Sequence, residues 1–373
     1  MPPWRVAAVA VSVWLPSLMI LLKVGSAVHA AAYGAILVVI VQALAVCERS
    51  QRGAEPLRRY EAGLTIAWLA AAILAFPILY AVAQSGMLGP GSDRDEALDL
   101  AIAALLRGDY PYAVRTYFGN PVTPLPGALL IGLPFHLAGG AAFQNPVALA
   151  GATVLVMRCL AHRPARALYA ILLIPANLAV LQDYATGGDY AANAVYVLAA
   201  VLWGERVLSG RGAPWELPAA AIALGIATCS RPIHAVAPIL VLAYGIGCGR
   251  RSPGLALGGG AALLAVALAA AFYIRDPAGF TPLHVAGKLG PYSHLAPVLA
   301  AAAALVAAVP AIRRVGPAGL IGLLALAEGV MLLPGIAVRV AAGDLAAFGF
   351  AIPIALFGGL WLMMAPLRRQ PAA

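Results

Sequence analysis

Charge is what this sequence has least of. Only 10% of its 373 residues are Asp, Glu, Lys or Arg, against 62% hydrophobic residues, and mean hydropathy is +0.90. Soluble domains carry about 25% charged residues, so a soluble fold is excluded. Alternating polar and apolar strands are also missing, which argues against a β-barrel. The chain has only four cysteines, Cys47, Cys159, Cys229 and Cys248, all in or beside apolar runs. They show neither metal spacing nor a paired framework, so buried free thiols are expected. No internal repeat and no polar stretch the size of a domain interrupts the apolar sequence.

What remains is a series of apolar runs of the length that a hydrocarbon core of about 30 Å requires. They lie at about 7–22, 27–47, 62–83, 145–161, 166–182, 191–208, 214–230, 233–249, 254–274, 296–312, 316–335 and 346–366. The expected fold is therefore an all-α polytopic membrane protein of about twelve transmembrane helices, a single transmembrane domain over residues 1–373. The apolar start reads as a first span and not as a removed signal peptide. Abundant Ala and Gly suit close helix packing in lipid.

The net charge of +9 could suggest nucleic acid, but the basic residues sit in short loops between apolar runs, where they orient helices. If the segment 128–143 does not cross the membrane, sixteen of the 24 basic residues fall on one side, and every loop there is basic. Nine of the fifteen acids fall on the other side. If 128–143 crossed, Arg158, Arg163 and Arg166 would change sides and every later loop would invert. The charge rule thus predicts that 128–143 is re-entrant or lies along the outer surface, with both termini cytoplasmic.

The longest polar interruption is Ser85–Gly127, the larger part of an expected extracytoplasmic loop over 84–143. Five acids fall within it: Asp93, Asp95, Glu96, Asp99 and Asp109. Ser92 and Asp93 are N-cap types, and Glu96 follows Asp93 at capping-box spacing. The segment from Asp95 is helix-forming, and Gly108 stops it. Leu98, Ala101, Ile102 and Leu105 share one face, which predicts a short amphipathic helix lying on the membrane surface. Acids at a helix N-terminus are favoured by the macrodipole alone, so capping competes with catalysis as their explanation. Gly108-Asp109-Tyr110-Pro111-Tyr112 reads as a turn, and Thr123-Pro124-Leu125-Pro126-Gly127 as a stiff connector.

In this order, acidic pair, short helix, Gly-Asp-Tyr-Pro-Tyr, Pro-rich turn and apolar helix, the segment over about 92–140 resembles the GT-C superfamily of membrane glycosyltransferases. It is most similar to the bacterial polyprenol-phosphate-mannose-dependent mannosyltransferases, which lack a large soluble domain. One departure is the three spans that precede the loop, where many members have one.

The resemblance implies a loop carboxylate acting as general base. The run Asp93-Arg94-Asp95-Glu96 allows two registers. Asp95 with Glu96 fits the acidic pair, and Asp93 is the better cap, so the catalytic candidates are Asp95, then Asp93, with Glu96 beside them. A general base takes the acceptor's proton as its hydroxyl attacks the anomeric carbon. Asp99, Asp109, Tyr110 and Tyr112 are the acceptor- or sugar-binding candidates. The leaving group is a lipid phosphate, and no phosphate-cradling Gly-rich loop appears. That phosphate needs cations on the outer side, for which Arg231, Lys288 and His284 are candidates, while His294 reads as solvated loop. The implied partners are a polyprenyl-phosphate sugar donor, a glycolipid or glycan acceptor and the bilayer of a bacterial inner membrane, with no nucleic acid. No cofactor is expected. Some relatives use a divalent cation, but no His, Cys or Asp cluster here has metal-ligand spacing.

Other polar residues have plainer explanations. Asp183 and Asp189, flanking Ala-Thr-Gly-Gly, fit an ordinary turn, and His136 and His234 fit helix packing. Glu328 is a lone acid in mid-span, expected to be protonated and hydrogen-bonded or to face a polar cavity. Two other functions compete with glycosyl transfer: a transporter or flippase of lipid-linked sugars, and a non-catalytic subunit of an envelope-assembly complex. A transporter usually keeps its polar elements near the midplane, whereas here the charge gathers at one surface.

Overall fold

The structure is a computed structural model that describes residues 1–87, 92–283 and 295–364. Among the described residues it is helical with no β-strand, and an isolated bridge from Arg115 to Pro121 pins a loop. Seven helices are long and apolar enough to cross a membrane: Pro3–Val24, Ala27–Cys47, Glu61–Gln84, Tyr190–Leu208, Arg251–Arg275, Pro317–Ala341 and Leu345–Met364. Two bent pairs bring the number to nine if each is one span. Pro126–Leu137 meets Ala141–Cys159 at 98°, and Arg166–Leu173 meets Leu178–Ala185 at 69°. The second bend falls at Pro175, which cannot continue a helix, and Asn177 restarts the chain by capping the Val180 N–H. Glu216–Thr228, Pro232–Gly247 and Ala296–Ala311 are apolar but shorter. The basic loop after Cys47 holds a helix of its own, Gln51–Arg59.

The apolar faces are turned outward as well as inward. Only 11% of the most apolar window of Glu61–Gln84 is buried, and Ile66, Leu74 and Ile78 are exposed. In Ala27–Cys47 the figure is 22%, with Ile36 and Val39 exposed. Water would not tolerate such continuous patches, and hydrocarbon does.

Most ion pairs among the described residues stay within one of the two sets of loops that the sequence separates. Arg163 pairs with Glu48, Arg166 with Glu61, Arg211 with Glu205 and Arg206 with Glu216, all drawn from the basic loops. Arg94 pairs with Asp183, Arg231 with Asp189, His136 with Asp99 and Arg339 with Asp344, all drawn from the opposite set. None of these pairs joins the two sets. The Glu48–Arg163 pair is fully buried and survives there because its other polar atoms are also bonded: Tyr169 donates to Glu48 and Arg163 donates to the Met363 carbonyl.

A second, smaller core sits at the acidic end. Leu98, Ala101 and Ile102 of the helix Arg94–Leu106 are buried with Leu125, Leu129, Tyr112 and Phe280. The amphipathic helix therefore turns its apolar face to the helix Pro126–Leu137, and not to lipid as expected. It ends at Arg107, with Gly108 at φ +83° as the stop. The Pro-rich connector docks by its backbone: Leu125 N–H donates to the Ser230 carbonyl and Gly127 N–H to the Cys229 carbonyl.

Gly127 permits that docking, because a Cβ there would lie 2.1 Å from the Ile226 carbonyl oxygen. We expect Gly127→Ala to destabilise the protein by about 1–3 kcal/mol, since the neighbour is backbone and cannot give way. Thermal unfolding in detergent, read against an Ala substitution at exposed Gly63, checks this; an unchanged midpoint would show that the connector does not dock.

Candidate functional site

Asp95 lies in the first turn of the helix Arg94–Leu106, where the macrodipole favours an anion. Its Oδ2 accepts from the Tyr80 hydroxyl at 2.5 Å and from Gln84 Nε2 at 2.9 Å. Tyr80 and Gln84 are four apart on the last turns of Glu61–Gln84, so one helix face presents both donors. The residue is 5% exposed, and no hydrogen bond of full geometry reaches its Oδ1. Gly187 closes over it, for a Cβ there would come within 3.0 Å of the Asp95 and Tyr80 side chains. Burial pushes the carboxyl above the usual Asp range, against the opposing pull of the Tyr80 hydroxyl and the N–H groups of the helix's first turn.

The residue before it, Arg94, leads into a cluster that the sequence did not suggest. Its guanidinium donates to Asp183 Oδ1 at 2.9 Å and sits 4.8 Å from the Tyr190 ring. Arg231 lies 5.0 Å from the same ring and pairs with Asp189. Two guanidiniums thus flank one tyrosine, and two buried carboxylates neutralise them. Phe350 packs on Tyr190 at 5.5 Å, and Arg339 lies over Phe350 while pairing with Asp344. Asp183 and Asp189 are only 3% and 1% exposed. The expected turn lies between them, but both acids are ion-pair partners as well; Asp183 also accepts the Ala191 N–H, and Asp189 accepts from Asn193. Burial works against the charge on Arg231, but Asp189 outweighs it and holds the guanidinium above its usual pKa.

The remaining acids of the loop each have separate work. Asp93 occupies the N-cap position, but its side chain does not cap. It accepts from Thr116 Oγ1 at 2.6 Å and Asn120 Nδ2 at 2.8 Å, and Ser92 Oγ takes the Arg94 N–H. Glu96 forms no capping box and accepts the Tyr117 N–H at 2.9 Å. Both acids thereby hold the 116–120 turn against the helix. Asp99 accepts from His136 Nδ1 at 2.7 Å and from the Ala141 N–H at 2.8 Å, so His136 is a hydrogen-bond partner and not packing alone. Asp109 pairs with Arg107 in the open. Tyr110 donates to the Phe272 and Asp276 carbonyls, and Tyr112 is buried edge-on against Phe272 and Phe280. These tyrosines anchor the loop to the end of Arg251–Arg275.

His284, Lys288 and His294 lie outside the described residues. His234 is bonded to Glu328 at 2.7 Å, and both side chains are buried. The mid-span acid is thus hydrogen-bonded, as one of its two expected states required, and its partner was missed. Tyr80 and Gln84 were also missed, although a Tyr and a Gln four apart at the end of an apolar span were a usable signal. Nothing in the spacing of Arg94, Asp183, Asp189 and Arg231 pointed to their meeting. Among the described residues, no three His, Cys, Asp or Glu side chains are grouped to hold a metal ion. No protein-family model, curated protein or solved structure matches the chain.

The Arg231–Asp189 pair is buried, so removing one partner strands the other. We expect Arg231→Ala to cost about 3–5 kcal/mol and the double change Arg231→Met with Asp189→Leu to recover most of it. Unfolding midpoints of the three proteins decide; a single variant as stable as the parent would mean that the pair is open to water.

Proposed function

We propose that the protein is an integral-membrane glycosyltransferase. It moves a sugar, mannose by the resemblance, from a polyprenyl-phosphate donor to a glycolipid or glycan acceptor at the extracytoplasmic face of a bacterial inner membrane. The observation that carries this reading is Asp95, a buried carboxylate whose Oδ2 is held by the Tyr80 and Gln84 side chains while its Oδ1 takes no side-chain partner. A capping carboxylate has no need of such an arrangement, whereas a general base needs a fixed orientation and a free lone pair.

In this reading Asp95 Oδ1 takes the proton of the acceptor hydroxyl as its oxygen attacks the anomeric carbon. The bond from that carbon to the phosphate oxygen breaks, its electron pair leaves on the polyprenyl phosphate, and the carbon inverts. Arg231 is already neutralised by Asp189, which shifts the stabilisation of the leaving phosphate towards Lys288 and His284. The raised Asp95 pKa suits the role, because a base is most effective when its pKa lies closer to the working pH.

Twelve spans with both termini cytoplasmic and the acidic end outside is the topology that goes with this function. Beyond the seven long helices, this topology requires one span from each bent pair and one from each of the three shorter apolar helices, and the sorting of ion pairs into two sets supports the two-sided division. A reporter inserted at exposed Gly108 should be extracytoplasmic; a cytoplasmic signal would remove both the orientation and the donor logic.

The buried His234–Glu328 pair favours a second reading, transport of a lipid-linked sugar, because intramembrane ionisable pairs mark translocation routes. Purified protein given polyprenyl-phosphate mannose and candidate acceptors separates the two. We expect Asp95→Asn to lower transfer at least about 100-fold and Asp93→Asn to lower it less. Flux across vesicles without transfer would establish the transporter instead.

The pH dependence adds a check on Asp95. A base must be deprotonated, so kcat/KM should fall as pH drops through a pKa above the ordinary Asp value of about 3.9. The Tyr80 hydroxyl holds that pKa down, so Tyr80→Phe should move the acid limb to higher pH. A limb that stays in place would show that Asp95 is not the titrating group.

A further inference from the structure

Glu328 has a cost that none of the preceding roles explains. It is the twelfth residue of the 25-residue helix Pro317–Ala341, roughly 16–20 Å from either end, and it is fully buried. An acid at that depth costs several kcal/mol unless it is paired. Its Oε1 is bonded to His234 Nδ1 at 2.7 Å, and its Oε2 has no partner.

His234 belongs to the 3-10 turn Pro232–Ala235, and its N–H donates to the carbonyl of Arg231 at 3.1 Å. Arg231 is therefore only one 3-10 turn, about 6 Å, from the bond made by Glu328. The same helix reaches the outer cluster a second time through Arg339, which lies over Phe350, which packs on Tyr190. Arg231 and Arg94 both lie against the Tyr190 ring, and Arg94 precedes Asp95. One helix thus grips the cluster at two heights, at its middle and at its end.

We propose that Glu328 is a positioning residue: its bond to His234 fixes the turn that carries Arg231, and through Tyr190 and Arg94 it fixes the setting of Asp95. The effect on transfer rests on the glycosyltransferase reading, whereas the effect on the outer cluster does not. What matters is the hydrogen bond and not the charge, so Glu328→Gln keeps the position and an apolar residue loses it.

The test is hydrogen–deuterium exchange of the full-length protein in lipid nanodiscs, with wild type, Glu328→Gln, Glu328→Leu and the double variant Glu328→Leu with His234→Phe. The double variant replaces the pair with apolar residues and carries the experiment if the single Leu variant does not fold. The expected result is faster exchange, by about tenfold, in segments 186–192 and 229–235 of the Leu and double variants, with Glu328→Gln like wild type. Exchange that rises only within 317–341, or nowhere, overturns the proposal, as does an equal rise in Glu328→Gln. Where wild type transfers sugar, the double variant should lose roughly ten- to hundredfold in kcat at nearly constant KM, with the acid limb of the pH profile unmoved. Faster exchange in the outer segments with no transfer by wild type would keep Glu328 as a positioning residue and discard the glycosyltransferase reading.

Discussion

Hydrocarbon solvates charge poorly, and the arrangement of this protein's few ionisable groups follows from that cost. A charge leaves water only when a partner and further hydrogen bonds meet it. Glu48 and Arg163 illustrate the rule at the basic end, where Tyr169 and the Met363 carbonyl complete the pair. Asp183, Asp189, Arg94 and Arg231 illustrate it at the acidic end, where two ion pairs close on the two sides of Tyr190. The ion pairs of each end stay within that end because a partner across the bilayer is out of reach.

Under the same rule, the groups left unsatisfied become the informative ones. Most acids of the acidic loop are occupied in holding it together: Asp93 and Glu96 fix the 116–120 turn, and Asp99 ties the helix Arg94–Leu106 to His136 and Ala141. Asp95 differs, since its two side-chain donors converge on one oxygen and leave the other without a side-chain partner. It also stands where three parts of the chain meet: the end of Glu61–Gln84, the start of the outer helix and the Gly187 loop. The candidate site is thus built on helix ends as well as on the loop.

Much of the fold was legible because lipid writes itself into composition. Seven of the twelve expected apolar runs form helices long enough to cross a membrane, or nine if each bent pair is one span, and the stop at Gly108 and the break between 126–137 and 144–159 follow from glycine chemistry. Span lengths were less legible, since a bundle can shelter a short or bent helix such as Arg166–Leu173 with Leu178–Ala185. In the candidate site, the clustering of acids was readable and the partners of the individual acids were not. Asp93 looked like a cap because its residue type and spacing are those of a cap, yet Thr116 and Asn120, more than twenty residues away, compete for it and win.

By itself, then, the sequence determined the membrane character of this protein and the approximate places of its longest helices, because both depend on local composition and on side-chain transfer from water. Only the tertiary structure decided which charges meet. Arg94 finds Asp183 across 89 positions, Arg231 finds Asp189 across 42 and His234 finds Glu328 across 94. No periodicity encodes such distances. They are set when helices pack, and the cost of an unpaired charge in a low-dielectric interior selects the packing in which each one has a partner.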